Sequence, residues 1–190
     1  MTRLIRIARI SGATVYVHWS VLAVTAVMLL SAIENAVSTL LAVAFYLGVL
    51  LLHEWGHLLA AHRVGSVVWS IELYPLHGVT RYAATSSQYD DCIVAWGGVL
   101  AQLAVALPLI LWATFAGFTR IAAVNAVIAM FGYFSAVIAV YNLLPFGRLD
   151  GATAWRIVPL RWRRRIGNGT RTRPEQVGNK RRTHKGDWVH

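Results

Sequence analysis

"LLHEWGHLLAAH", residues 51–62, sets two histidines and a glutamate into a run of leucine and alanine otherwise suited to lipid. His53 and His57 are four residues apart, so on a helix of 3.6 residues per turn their side chains stand on one face, a turn apart. Two imidazoles so spaced can share one Zn2+. Glu54, one step round the helix, is badly placed as a third ligand on that face. It is well placed to take a proton from water at the metal, which is the logic of the H-E-x-x-H pattern. An ionisable side chain at the centre of a membrane helix costs about 2.5–3.5 kcal/mol, so three together point to function. The alternative is a pair of core histidines bonded to backbone carbonyls, with Glu54 pairing one of them.

The surrounding chain supports a membrane setting. Of 190 residues, 57% are hydrophobic and 14% charged, and the mean hydropathy is +0.53, too apolar for an ordinary soluble domain. Crossing a bilayer takes about 20 residues at 1.5 Å each, and four stretches qualify, at about 15–33, 36–64, 92–117 and 121–145. Between the second and third, Val67–Tyr74 is rich in β-branched and aromatic residues, Pro75–Gly78 has turn chemistry, and Val79–Tyr82 can pair back. The expected fold is an all-α membrane protein of about four transmembrane helices, with a small β-hairpin at the membrane surface between the second and third. Residues 1–160 form its core, and 161–190 a basic tail with little apolar periodicity, expected to be disordered or surface-bound. Cys92 is the single cysteine, which excludes an internal disulfide framework. No small-residue cleavage site follows the first apolar span, so the N-terminus is expected to be retained.

Eighteen Lys and Arg stand against eight Asp and Glu, a net charge of +10. Threading the four spans alternately from a cytoplasmic N-terminus puts Arg3, Arg6, Arg9, Arg63, Arg81, Arg148, Arg156 and the tail in the cytoplasm, and Arg120 alone outside. The positive-inside rule then accounts for the basic excess without a nucleic-acid partner, and both termini are cytoplasmic. The Arg161–Arg165 cluster can in addition meet anionic lipid.

Zinc on two histidines has room for a third protein ligand and a water. Among the few carboxylates Asp150 stands out, in "YNLLPFGRLDGA", where Pro145 and Gly147 break the helix and Gly151 allows a tight backbone. Broken backbone at membrane depth implies a polar pocket. Taken alone, however, Asp150 reads as a helix-capping aspartate opening "GATAWRIVPL".

"HEWGH" in one apolar span, followed by "NLLPFGRLDG" closing another, resembles the site-2 protease family of intramembrane zinc metalloproteases, over roughly residues 15–155. "GVTRY" is similar to the family's glycine-containing hairpin, and "AWGGVLAQL" to its A-G-P-L-x-N stretch, with Val99 in place of proline, Gln102 in place of asparagine, and Arg148 where proline is frequent before Leu-Asp-Gly. The resemblance is to a minimal form without PDZ or CBS domains, in a bacterial-type cytoplasmic membrane. It implies one zinc per chain on His53, His57 and Asp150, with Glu54 as general base and Asn142 holding substrate or oxyanion. A helix–helix hydrogen bond is an equal reading of Asn142. It also implies a membrane-anchored protein substrate, such as the anchor of a regulator or a remnant signal peptide.

From Ala36, His53 lies seventeen residues in, about 25 Å along a helix, so the metal is expected in the cytoplasmic half of the membrane, at a depth Asp150 also reaches. An unwound substrate segment could pair with an exposed strand edge, for which Val67–Tyr74 is the candidate, against the plainer reading of a surface hairpin. His62 is about 140° round from His57 and reads as interfacial, His18 as an interface residue beside Trp19, and His77 as a loop histidine. The glycosylation pattern Asn168-Gly169-Thr170 faces the cytoplasm in this topology and is discounted. Two rivals stand beside the protease: a silent relative that binds membrane helices, which has no chemical reason to keep Glu54, and a zinc transporter or sensor, which the apolar outer halves of the spans disfavour.

Overall fold

The computed structural model describes residues 4–31, 36–75, 77–147 and 149–162. The basic tail beyond 162, Arg148 and the link at Glu34 and Asn35 lie outside them. Two strands open the chain, β1 (Leu4–Ile10) and β2 (Ala13–His18), followed by α1 (Trp19–Ser31) and α2 (Ala36–Arg63). Then come β3 (Val68–Leu73), β4 (Gly78–Tyr82), α3 (Gln88–Ala116), α4 (Ala122–Val127), a π-helical segment (Ile128–Phe134), α5 (Ser135–Asn142) and α6 (Asp150–Ala154). The fold is mostly helical with one four-stranded sheet.

Three helices are long and apolar enough to cross a membrane among the described residues: α2, α3 and the run Ala122–Asn142. They match the expected second, third and fourth spans. Helix α3 starts earlier than expected, because Ser87 caps it by accepting from the Asp90 backbone N–H, with Asp90 and Asp91 favourable in the first turn.

The start of the expected span at 15–33 is corrected. Residues up to His18 are strand, and the described part of α1 has 13 residues, about 20 Å of helix against a bilayer's roughly 30 Å core. Val15 and Val17 are buried as alternate residues of β2, together with Ala13, and that two-residue period belongs to a sheet. Ser11 and Gly12, both at positive φ (48° and 89°), turn β1 into β2 as a tight hairpin.

The sheet order is β1-β2-β3-β4, with β2 parallel to β3 and the other pairs antiparallel. The expected hairpin is therefore present as β3 and β4, but joined to the N-terminal strands in one sheet. Parallel pairing sets the N-terminal strands at the same end of the molecule as the C-terminal end of α2. The core packs Val15, Val17 and Ile71 from the sheet against Leu50, Leu58 and Ala61 of α2 and Val94 of α3. The sheet thus lies alongside the last third of α2. Helices α2 and α3 approach closely where Gly56 faces Gly97: a Cβ on either would collide with the other's backbone carbonyl, the small-residue contact expected of membrane helices.

Candidate metal centre

His53, Glu54 and His57 occupy one and a half turns of α2 and are all buried, at 6%, 3% and 7% exposure. Asp150, the first residue of α6, reaches them from the far end of the chain. Its Oδ2 lies 2.9 Å from Nε2 of His53 and 3.3 Å from Nε2 of His57, and the two Nε2 atoms are 3.1 Å apart.

The other ring nitrogens explain why Nε2 faces inward. Nδ1 of His57 donates to the Val94 carbonyl at 2.8 Å, and Nδ1 of His53 to Oε1 of Gln102 at 2.9 Å, both on α3. With hydrogens on both Nδ1 atoms, neutral rings turn two lone pairs and a carboxylate oxygen towards one point. Such a set repels itself unless a cation lies among it. Ligands at 2.0–2.2 Å around a tetrahedral ion stand about 3.3–3.6 Å apart; the observed 2.9–3.3 Å are up to a few tenths of an ångström shorter, so a small outward shift of the three groups admits a zinc-sized ion with a fourth position left over. Gly98 makes the room: a Cβ there would stand 2.6 Å from Nε2 of His57 and 2.7 Å from Cε1 of His53.

Asp150 is held by its surroundings. Cys92 donates to the Thr153 carbonyl (3.3 Å) and the Trp96 indole to the Ala154 carbonyl (3.1 Å), fastening α6 to α3. The Trp155 indole donates back to Leu143 at 2.6 Å, and a Cβ on Gly151 would strike the Leu143 carbonyl, so the loop between α5 and α6 closes tightly. Burial would raise the Asp150 carboxyl, but its contacts with His53 and His57 outweigh burial and hold it below the usual carboxylate range.

Glu54 points out of the triad towards the sheet. Thr80 of β4 donates to its Oε2 at 2.7 Å, and a Cβ on Gly78 would overlap its carboxylate. Asn142 closes α5, half-buried, eight residues before Asp150, with no side-chain hydrogen bond among the described residues. His62 is exposed at the end of α2. His18 bonds Ser20 at 2.6 Å and stacks on Tyr74, which also stacks on His77, so these two histidines belong to a ring stack beside the sheet and not to the triad. Val67–Tyr74 is corrected as a free edge: β3 is paired on both sides, and among the described residues the outer strands are β1 and β4.

Gln102, Gly98, Thr80 and Gly78 lie in the "AWGGVLAQL" and "GVTRY" stretches noted in the sequence but were assigned no site role there. A lone amide in an otherwise apolar span is costly without a partner, so Gln102 carried a readable signal. The other three take their contacts from the element that packs against α2, which their stretches alone do not identify.

No family model matches the chain. It is 30% identical, over an alignment of 172 residues, to the protein described as "Putative zinc metalloprotease Rip3" in two strains of Mycobacterium tuberculosis, Erdman and H37Rv; the alignment takes in 80% of this chain and 44% of the relative. The chain thus spans less than half the length of the curated relatives it matches. The structure titled "Site-2 Protease from Methanocaldococcus jannaschii" superimposes with a TM-score of 0.66 at 19% identity, covering 84% of this chain and 73% of that one, a likeness of fold.

Proposed function

The chain is a member of the site-2 protease family, and on that premise we propose that it is a zinc-dependent intramembrane endopeptidase that cuts a transmembrane segment of a membrane-anchored protein. The observation that carries this reading is the convergence of His53, His57 and Asp150, from opposite ends of the fold, on one point with three electron-pair donors. These three residues would hold the zinc. When bound, the ion supplies a Lewis acid that acidifies water and polarises a peptide carbonyl. Glu54, next to the triad and already ordered, takes the proton of the attacking water and delivers it to the departing amine. Asn142, at the end of α5, serves as the donor to substrate or to the developing oxyanion.

A substrate helix hides its carbonyls in its own hydrogen bonds and must unwind before attack. An extended segment then needs partners, and β4 supplies a free edge whose Thr80 already touches Glu54. We read the chain as an integral, multi-pass protein of a bacterial-type cytoplasmic membrane with both termini cytoplasmic; the N-terminal strands lying at the Arg63 end of α2 support the N-terminal part of that reading. Regulator anchors and remnant signal peptides are the substrate classes to try first.

Purified protein in proteoliposomes, offered single-span reporters that release a soluble tag, tests the proposal. Glu54→Gln is expected to keep one zinc per chain and lose about 100-fold or more in cleavage, and Asp150→Ala to lose the zinc. A Glu54→Gln variant that cuts like wild type would overturn the assignment.

A further inference from the structure

Glu54 has one side-chain partner among the described residues, and that partner comes from the sheet. Thr80 Oγ1 stands 2.7 Å from Oε2 of Glu54 and 3.3 Å from the Glu54 backbone carbonyl, so its single hydroxyl hydrogen goes to the nearer, charged acceptor. The carboxylate lies flat over Gly78, where even a methyl group would overlap Oε1, Cδ and Cγ. Between them, Gly78 and Thr80 leave the side chain little choice of rotamer. Both belong to β4, an outer strand of the sheet, whereas all three presumed metal ligands are positioned by α2, α3 and α6.

We propose that Thr80 is a positioning residue for Glu54: its hydroxyl orients the base from β4, independently of the metal ligands. The orientation of the base then follows the position of the edge strand, the element on which an extended substrate would lie. This rests on the protease reading of Glu54, but the hydrogen bond itself can be tested without cleavage.

The closing experiment compares wild type with Thr80→Val, which keeps shape and removes the hydroxyl, and Thr80→Ser, which restores it. Infrared difference spectra, recorded at one pH for all variants across the carboxyl and carboxylate stretching regions, read the hydrogen bond. Thr80→Val minus wild type is expected to show a shifted carboxylate stretch, absent when the same pair is made in a Glu54→Gln background and largely reversed by Thr80→Ser. Zinc per chain and melting temperature report whether the fold and the metal site are kept. In cleavage of a single-span reporter, Thr80→Val is expected to lower kcat about 10- to 100-fold with KM within about twofold, and Thr80→Ser to recover most of it. An unshifted carboxylate band, or a Thr80→Val kcat equal to wild type, overturns the inference. If wild type cuts no reporter while the band shifts as expected, the protease reading fails and the Thr80 contact stands.

Discussion

His53 and His57 turn the same nitrogen inward because α3 takes the other one. Each Nδ1 meets a carbonyl-type oxygen, Val94 in one case and Gln102 in the other, which fixes tautomer and ring plane together. Gln102 is completely buried; its oxygen accepts from His53, and its amide nitrogen makes no hydrogen bond to the described residues. Gly98, one turn earlier on α3, leaves the space into which both rings project. A methyl group at 98 would have to displace the imidazoles or push α3 away from α2. Gly98→Ala is therefore expected to keep its helicity by circular dichroism and to bind zinc about 10- to 100-fold more weakly in competition with a chromophoric chelator, since ligand orientation is what the neighbouring shell supplies. Unchanged affinity would mean that the rings do not occupy that space.

Among the elements, the sheet decides most of what lies beside the helices, and it was only half legible. Val67–Tyr74 and Val79–Tyr82 read as strands from their β-branched and aromatic content, and both are present. The alternation of "ATVYVH" and the Ser11-Gly12 turn carried the same kind of signal, but a hydropathy window starting near Val15 runs without a break from β2 into α1 and masks the change of period. The two histidines were legible because chemistry demands particular residue types at particular spacings, and Asp150 through the resemblance of its "NLLPFGRLDG" stretch; the contacts of Thr80 and Gly78 with Glu54 were not, because they arise from packing between elements distant in sequence. Within the sheet, Glu72 of β3 is buried and paired with Arg81 of β4, and it also accepts from Tyr74 at 3.1 Å. The Arg81 guanidinium holds the Glu72 carboxyl below its ordinary range against the opposing effect of burial. A carboxyl depressed in the folded state stabilises the fold above its unfolded value and loses that contribution as pH falls through the folded one. Wild type is thus expected to exceed Arg81→Gln in stability by a constant margin near neutrality, a margin that shrinks from about pH 5 downward. Because Arg81 is largely exposed, added salt should narrow it too. Chemical denaturation of both proteins across that range decides it, and a margin that grows towards acid would refute the pairing.

At the scale of the whole molecule, one cation would join α2 directly to α6, which otherwise meet mainly through α3. Helix α2 carries two of the ligands; the third arrives on α6, which is fastened to α3 through Cys92 and Trp96 and to the end of α5 through Trp155. Without a cation, Asp150 faces two imidazole lone pairs across 2.9 and 3.3 Å, contacts that hold only while a proton is shared among them. Ion binding that requires the folded arrangement stabilises it by mass action, about 2.7 kcal/mol when free zinc is at 100 times its dissociation constant. Chelation of the wild-type protein in detergent is therefore expected to lower its melting temperature and to open the segment before Asp150 to limited proteolysis, and zinc should reverse both. Asp150→Ala should melt near the chelated wild type and gain nothing from added zinc, because the remaining histidine pair lies on one helix and ties no two parts together. His57→Ala should behave likewise, whereas Glu54→Gln should keep the full zinc-dependent rise. If the melting temperature of Asp150→Ala rose with zinc as far as that of wild type, the ion would be bound elsewhere, and the link between α2 and α6 would not be made by metal.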